Sequence, residues 1–449
     1  MSKIARAPRR PPANEPHDPL FWDKRDLEGE LRRAFQICHE CRMCVTYCGS
    51  FPSLFQAVDR EIDAGRAEGA ETINDADIRR VTDLCWQCKL CYIKCPYTAD
   101  EKAYELLDFP RILARARAVE AKSNGVPLVD QVLGEPALIG QLGAGATAPV
   151  ANLVNSSRLL RKVAEKVTGV SSEFPLPPLD PQPFSRWFGK HTPLPGAGEA
   201  GEVVLFATCY GEYNFPAIAR AAVRVLEHQG FSVLLPEQTC CGLPNLDGGD
   251  LAAATSKMQA NVDSLLPLIK GGRKVVTFGP SCGYTIRKEW PSYLRTAGAS
   301  EVAAGTLDLM EFLEKLRREK KLKKDFSRGF GKVAYHAPCH QRAQKIGTPG
   351  ARLLGLLPDT SVEVISECSA VDGTWGMKAE FYEMGRRYAR RLVQGVDEAG
   401  AQLVVSDCSL AALRINQENG CDVLHPVEAL ALGYGLEGGR QAGAPHAEG

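Results

Sequence analysis

Eight of the chain's sixteen cysteines lie between Cys38 and Cys95, in two quartets of the same spacing. The first is Cys38-x-x-Cys41-x-x-Cys44-x-x-x-Cys48, in HECRMCVTYCGSFP. The second is Cys85-x-x-Cys88-x-x-Cys91-x-x-x-Cys95-Pro96, in LCWQCKLCYIKCPYT. Three thiolates spaced in this way wrap three corners of one four-iron cube, and the fourth, displaced along the chain, serves the other cube of a two-cluster domain. The spacing therefore predicts two [4Fe–4S] clusters, one on Cys38, Cys41, Cys44 and Cys95 and one on Cys85, Cys88, Cys91 and Cys48. Structural zinc closes with four ligands in two spaced pairs and has no use for a run of four given twice. Gly49 stands where proline usually follows the first quartet, which alters the turn and not the ligands.

The segment around the quartets reads as helical. A helix over 26–37 leads into the first, and a second covers 54–64. A third begins after Asn74, a good N-cap, with Ile78, Val81 and Cys85 on one face. The stretch 104–119 continues helical with a break at Pro110. So long an insert between quartets excludes a compact ββ cluster fold and predicts a helical one. Lys plus Arg and Asp plus Glu both number 54. With no positive surplus, nucleic acid is not the expected partner. Cysteines in ligand spacing predict a reducing, cytoplasmic setting. Arg9-Arg10 runs into Pro11-Pro12 with no apolar core behind it, so the first 26 residues read as a mobile tail, not a leader.

From Pro136 to Ser157 no residue is charged, yet glycines, Pro149, Gln141 and Asn152 interrupt the stretch, and no membrane span is predicted. The helix that follows opposes Leu159, Leu160, Val163 and Val167 to Arg158, Arg161, Lys162 and Lys166. Its apolar stripe is expected to pack on the protein itself, with peripheral contact at the inner face of a membrane as the second setting. Prolines between 175 and 195 mark an extended linker ending near residue 200.

The second half is an internal repeat. Cys209, Cys240 and Cys282 recur as Cys339, Cys368 and Cys408, each pair about 130 residues apart. Short apolar strands at 203–207, 233–235 and 275–278, then at 333–335, 362–365 and 403–405, alternate with helices and each lead to a cysteine. That alternation predicts parallel sheets, with every thiol at a strand's C-terminal end, where open α/β sheets bind ligands. Cys209, Cys240, Cys241 and Cys282 form a candidate third metal or cluster site; Cys339, Cys368 and Cys408 form a degenerate fourth, needing help from His336 or His340. His425 reads as an ordinary satisfied histidine. The basic run at 317–324 reads as the solvated face of a helix capped by Asp308 and Glu311, burying Leu309, Phe312 and Leu313.

Two such quartets followed by QTCCGLPNLDGGD, FGPSCG, YHAPCHQRAQKIG, ECSAVDGTWGMK, SDCSLAALRI and HPVEALAL resemble the heterodisulfide reductase-related iron–sulfur family, and within it the C subunits of anaerobic glycerol-3-phosphate dehydrogenases. The resemblance spans about residues 30–435 apart from 123–200. It implies an α/β fold class: a mostly helical, ferredoxin-like two-[4Fe–4S] domain, then two tandem Rossmann-like βαβαβ cysteine-rich (CCG-type) repeats. The expected boundaries are 1–26 tail, 27–122 cluster domain, 123–200 linker with an amphipathic helix, 201–305 repeat, 306–330 connecting helix, 331–435 repeat and 436–449 tail. In that family a full five-cysteine repeat can hold a noncubane cluster used in disulfide chemistry. Here Thr285, Ser369 and Ala411 stand in three of the ligand places. The expectation is an electron-transfer subunit that accepts electrons from a flavoprotein dehydrogenase and delivers them to a quinone or other acceptor. No dinucleotide fingerprint follows a strand, which places flavin chemistry on another chain. The alternatives are a thiol–disulfide reductase acting through Cys240 and Cys241, and a non-enzymatic redox or metal sensor.

Overall fold

The computed structural model describes residues 4–436. Its contacts divide the chain into two compact units, Met1–Gln131 with Pro244–Leu251, and Val132–Leu243 with Ala252–Gly449. Of the tail expected at 436–449, residues 437–449 lie outside the described residues.

The first unit is helical, with principal helices at Lys24–Cys41, Ser50–Asp63, Asp75–Asp83, Leu90–Lys94 and Phe109–Asn124. Local chemistry sets their starts. Asp23, Asn74 and Asp108 each accept a backbone N–H of the first turn. Pro110 lies in that first turn and opens the helix that the sequence expected it to break, since a missing N–H costs nothing there. Phe35, Phe51, Leu54, Val58, Val81 and Leu113 fill the core. Residues 4–26 correct the expectation of a mobile tail. Phe21 is buried, Arg10 pairs with Asp26 at 2.8 Å, and Arg33 donates to the Arg6 carbonyl at 2.6 Å. The segment Pro244–Leu251, expected to lie within the first repeat, belongs to this unit. Arg117 donates to the Asp247 carbonyl at 3.1 Å, and Gly249, at φ +81°, approaches the Arg117 carbonyl too closely for any side chain.

The second unit holds two parallel four-stranded sheets. The first has strands β1 (Gly201–Phe206), β2 (Phe231–Leu234), β3 (Lys274–Thr277) and β4 (Thr306–Asp308), in the order β2-β1-β3-β4. The second has β5 (Gly331–His336), β6 (Thr360–Ile365), β7 (Leu403–Ser406) and β8 (Val423–Leu424), in the order β6-β5-β7-β8. Three strands per repeat were expected; the fourth, of three and two residues, is too short to show a period. Thus residues 306–308 are an edge strand of the first sheet, not part of a connector. One continuous core joins the repeats, with Val203, Leu205, Val276, Leu313, Val333, Leu353, Val405 and Leu430 in it. Each fully buried side chain of this kind contributes about 1.5–3 kcal/mol.

The two halves of this unit exchange equivalent parts. The helix Pro216–His228 packs on Pro426–Gly433, and Leu309–Arg318 packs on Pro349–Leu354. Asp308 and His425, at equivalent strand ends, both close capping boxes, with Glu311 and Glu428. The segment 132–200, expected as a linker, is mostly helical and folds with this unit; Asn152 brackets Leu179 with two 2.8 Å hydrogen bonds.

Candidate metal centres

The turns that carry the quartets bring the eight cysteines into two neighbouring cavities. Cys38, Cys41, Cys44 and Cys95 line one, with Ile37, Phe51 and Leu107. Cys48, Cys85, Cys88 and Cys91 line the other, with Phe51, Trp86 and Phe109. Phe51 belongs to both walls and stacks on Phe109 at 4.7 Å. Left-handed backbone at Arg42, Gln87 and Lys89 bends each loop around its cavity. The first four cysteines are half-buried; the second four are buried. Burial and the neighbouring thiols push Cys38 and Cys91 well up, and burial pushes Cys44 and Cys48 to about 12. Four thiolates so placed require a cationic centre, which is what an iron–sulfur cube offers them. Gln87 donates to Cys85 Sγ at 3.4 Å and is itself held by Lys89 at 2.8 Å.

In the first repeat the ends of three strands deliver Cys209, Cys240, Cys241 and Cys282 into mutual contact. Cys209 and Cys241 both donate thiol hydrogen bonds to Cys240, and Cys241 is also linked to Cys282. Hydrogen bonds from Cys209 and Cys241 hold Cys240 well below the usual thiol range, so a charge in this group settles there. The Cys240–Cys241 turn is rigid. Asn261 accepts from Thr239 N at 2.9 Å and donates to the Cys240 carbonyl at 3.1 Å, and Trp290 donates to the Cys241 carbonyl at 2.9 Å. Gly242 turns at φ +90°, where a Cβ would meet the Ala254 carbonyl at 3.0 Å. Tyr210 lies within electrostatic reach of these thiols and of Cys408 in the other repeat, and burial drives its hydroxyl far up. Thr285, where the family resemblance implies a fifth ligand, donates to the Ser281 carbonyl at 2.8 Å.

In the second repeat the same strand ends carry Cys339, Cys368 and Cys408, each half-buried. Cys368 Sγ accepts from Ala370 N at 3.3 Å. The two histidines part company. His336 is fully engaged, with Ser406 Oγ at 2.8 Å and the Glu367 carbonyl at 3.1 Å, and burial lowers it to about 4. His340 instead lies beside Cys339 and Asp372. Asp372, in the loop after β6, went unnoticed in the sequence because nothing in its spacing marks it as a ligand. His425 is satisfied by the Phe278 carbonyl at 3.0 Å and by Val427 N at 3.0 Å.

Fold and site together describe an iron–sulfur protein that joins a helical cluster domain to two cysteine-rich α/β domains, and the family models agree. The Fer4-like domain of citrate utilization protein B matches residues 31–123, and the cysteine-rich (CCG) domain matches twice, at 203–287 and 333–415. The chain is similar to the C subunit of the anaerobic glycerol-3-phosphate dehydrogenase of Escherichia coli, 26% identical over 329 residues, covering 71% of this chain and 80% of that protein. It is also similar to the B subunit of the fumarate reductase (CoM/CoB) of Methanothermobacter marburgensis, 26% identical over 250 residues, 53% of this chain and 48% of that one. Lactate utilization protein A of Bacillus pumilus is 28% identical over 244 residues, 51% of this chain and 98% of its own.

Proposed function

We propose that this chain is the iron–sulfur electron-transfer subunit of an oxidoreductase complex, carrying two [4Fe–4S] clusters on Cys38, Cys41, Cys44 and Cys95 and on Cys85, Cys88, Cys91 and Cys48. The observation that supports it most is the pair of four-thiol cavities sharing the Phe51 wall. Cubanes bound there supply one-electron carriage at potentials tuned by burial and by hydrogen bonds to sulfur. The residues of the chain do the tuning. Phe51, Trp86 and Phe109 exclude water from the buried set, while Arg33 favours the thiolate of Cys38. The half-buried set, with exposed Met43 and Val45 beside Cys44, is the natural side for exchange with a partner.

The donor we infer is a flavoprotein dehydrogenase, by analogy with the relative named as a dehydrogenase subunit, and the acceptor a quinone or another redox carrier. The four-thiol group around Cys240 supports a third metal or cluster in the first repeat; it equally supports the second reading, thiol–disulfide chemistry at Cys240 and Cys241. Among the described residues no single helix is long and apolar enough to cross a membrane, although the helices Pro136–Gly143 and Gly145–Ser156, bent by 74°, pass that test together. Their exposed apolar side chains support peripheral contact with a membrane surface.

Iron and acid-labile sulfide on anaerobically purified protein test the assignment. At least about eight of each per chain are expected from two four-iron cubes. Cys95→Ala should damage the cluster of Cys38, Cys41 and Cys44 and spare the other. Loss confined to the cluster of Cys85, Cys88 and Cys91 in that variant would reject the exchanged fourth ligands.

A further inference from the structure

We propose that Cys339, His340 and Asp372 form a site for a single zinc-class divalent cation in the second repeat. This site is separate from any iron–sulfur cluster and independent of where the electrons go. Cys339 Sγ, a ring nitrogen of His340 and a carboxylate oxygen of Asp372 all lie within 4.8 Å of one another. His340 and Asp372 are buried, with side chains 1% and 2% exposed. The ring presents the correct atom. His340 Nδ1 is engaged by Ser281 Oγ at 2.9 Å, and Nε2 lies 3.8 Å from Asp372 Oδ1, a separation that suits two ligands of one ion. Tyr284 stacks on the imidazole at 5.1 Å with 13° between planes, and fixes its tilt.

The loop bearing Asp372 is equally well held. Gly376 N and Trp375 N donate to the Val371 and Asp372 carbonyls at 2.9 and 3.1 Å, and a Cβ on Gly376 would strike the Ala370 carbonyl at 2.4 Å.

Charge and softness choose the ion. A half-buried thiolate beside a buried carboxylate repels it, and a doubly charged cation cancels both. One sulfur, one imidazole nitrogen and one oxygen suit zinc, which accepts all three at tetrahedral angles, whereas calcium and magnesium prefer oxygen alone. A cubane would instead ask for a thiolate at each iron. The strand ends of the second repeat carry three thiols, Cys339, Cys368 and Cys408, one short of that number.

Metal analysis of the full-length protein, loaded with zinc and dialysed, tests the proposal. About one zinc per chain is expected beside the iron. In His340→Gln and Asp372→Asn, zinc affinity should fall about tenfold or more, with iron and sulfide unchanged. Cobalt(II) added to the native protein should give a thiolate-to-cobalt absorption in the difference spectrum, lost in Cys339→Ser. The cobalt titration needs no folded variant at His340 or Asp372. Zinc retained at full affinity in both variants, iron lost from either of them when it is folded, or no thiolate-to-cobalt band in the native protein would each overturn the site.

Discussion

Asp308 shows how much one residue carries in the repeat unit. As an N-cap it accepts from Met310 N at 2.8 Å and Glu311 N at 3.2 Å, a service worth about 1 kcal/mol. It is also buried, and burial pushes its carboxyl up to about 7; the Glu311 charge adds to that, while the cap bonds and Arg287 oppose it. Asp407, also pushed well up by burial, lies within reach of the Asp308 charge. The folded protein therefore keeps a proton at Asp308 that the unfolded chain releases near pH ~4. Its contribution to stability is present below that pH and is lost as pH rises toward 7. Asn caps equally well and carries no proton to lose. Asp308→Asn should thus gain on the native protein as pH rises from about 5 to about 8, by of order 1 kcal/mol or more, read as a shift in thermal midpoint. The same difference at both pH values would mean that Asp308 is ionised throughout.

At the scale of elements, the helix Arg158–Thr168 sits opposite to the expectation of packing on the protein. Arg161 is its buried residue, with its guanidinium donating to the Phe174 carbonyl at 2.8 Å and to Asn155 Oδ1 at 2.6 Å. Leu159, Val163 and Val167 are left 73%, 55% and 65% exposed, and Leu142, Val150 and Leu153 on the preceding helices are exposed to a similar degree. The amphipathic period was legible; which face turned inward was not. The Ser171 and Phe174 carbonyls accept from the Arg161 guanidinium, so this one cation turned inward while Arg158, Lys162 and Lys166 stayed exposed. An apolar surface edged by the exposed Arg158, Lys162 and Lys166 suits an anionic bilayer, where each basic residue adds about 1 kcal/mol. Native protein should co-sediment with phosphatidylserine vesicles and be released by salt. Leu159→Glu combined with Val163→Glu should weaken that binding about tenfold without changing iron content. Equal binding by that variant would count against this surface.

For the molecule as a whole, the two repeats share a fold and differ in what their strand ends carry. Four thiols in the first sit in one hydrogen-bonded group, with Cys240 as the acceptor of its neighbours. In the second, burial pushes Cys408 to about 11, and the nearby Asp372 and Asp407 charges work in the same direction. That thiol stays protonated and unreactive. Cys240→Ser or Cys241→Ser should therefore abolish turnover with an artificial electron donor while both cubanes remain, and Cys408→Ser should reduce it far less, mainly through stability. Complete loss at Cys408 in a folded protein with full cubane content would make the second crevice a working site as well.

The sequence by itself determined what covalent spacing can determine. Cys-x-x-Cys-x-x-Cys lets one tightly turning loop present three donors to a single cluster, so the quartets were readable before folding, as were the strand ends of the repeats and the Asp308–Glu311 cap. Only the tertiary structure decided what depends on distant chain. It brought Asp372, 32 residues beyond His340 in sequence, into reach of that ring and left His336, three residues before Cys339, tied to Ser406. It also added a fourth strand to each sheet, too short to show a period. It turned Arg161 inward as well, because burial follows whichever partners the rest of the chain supplies, and hydrophobicity alone cannot name them.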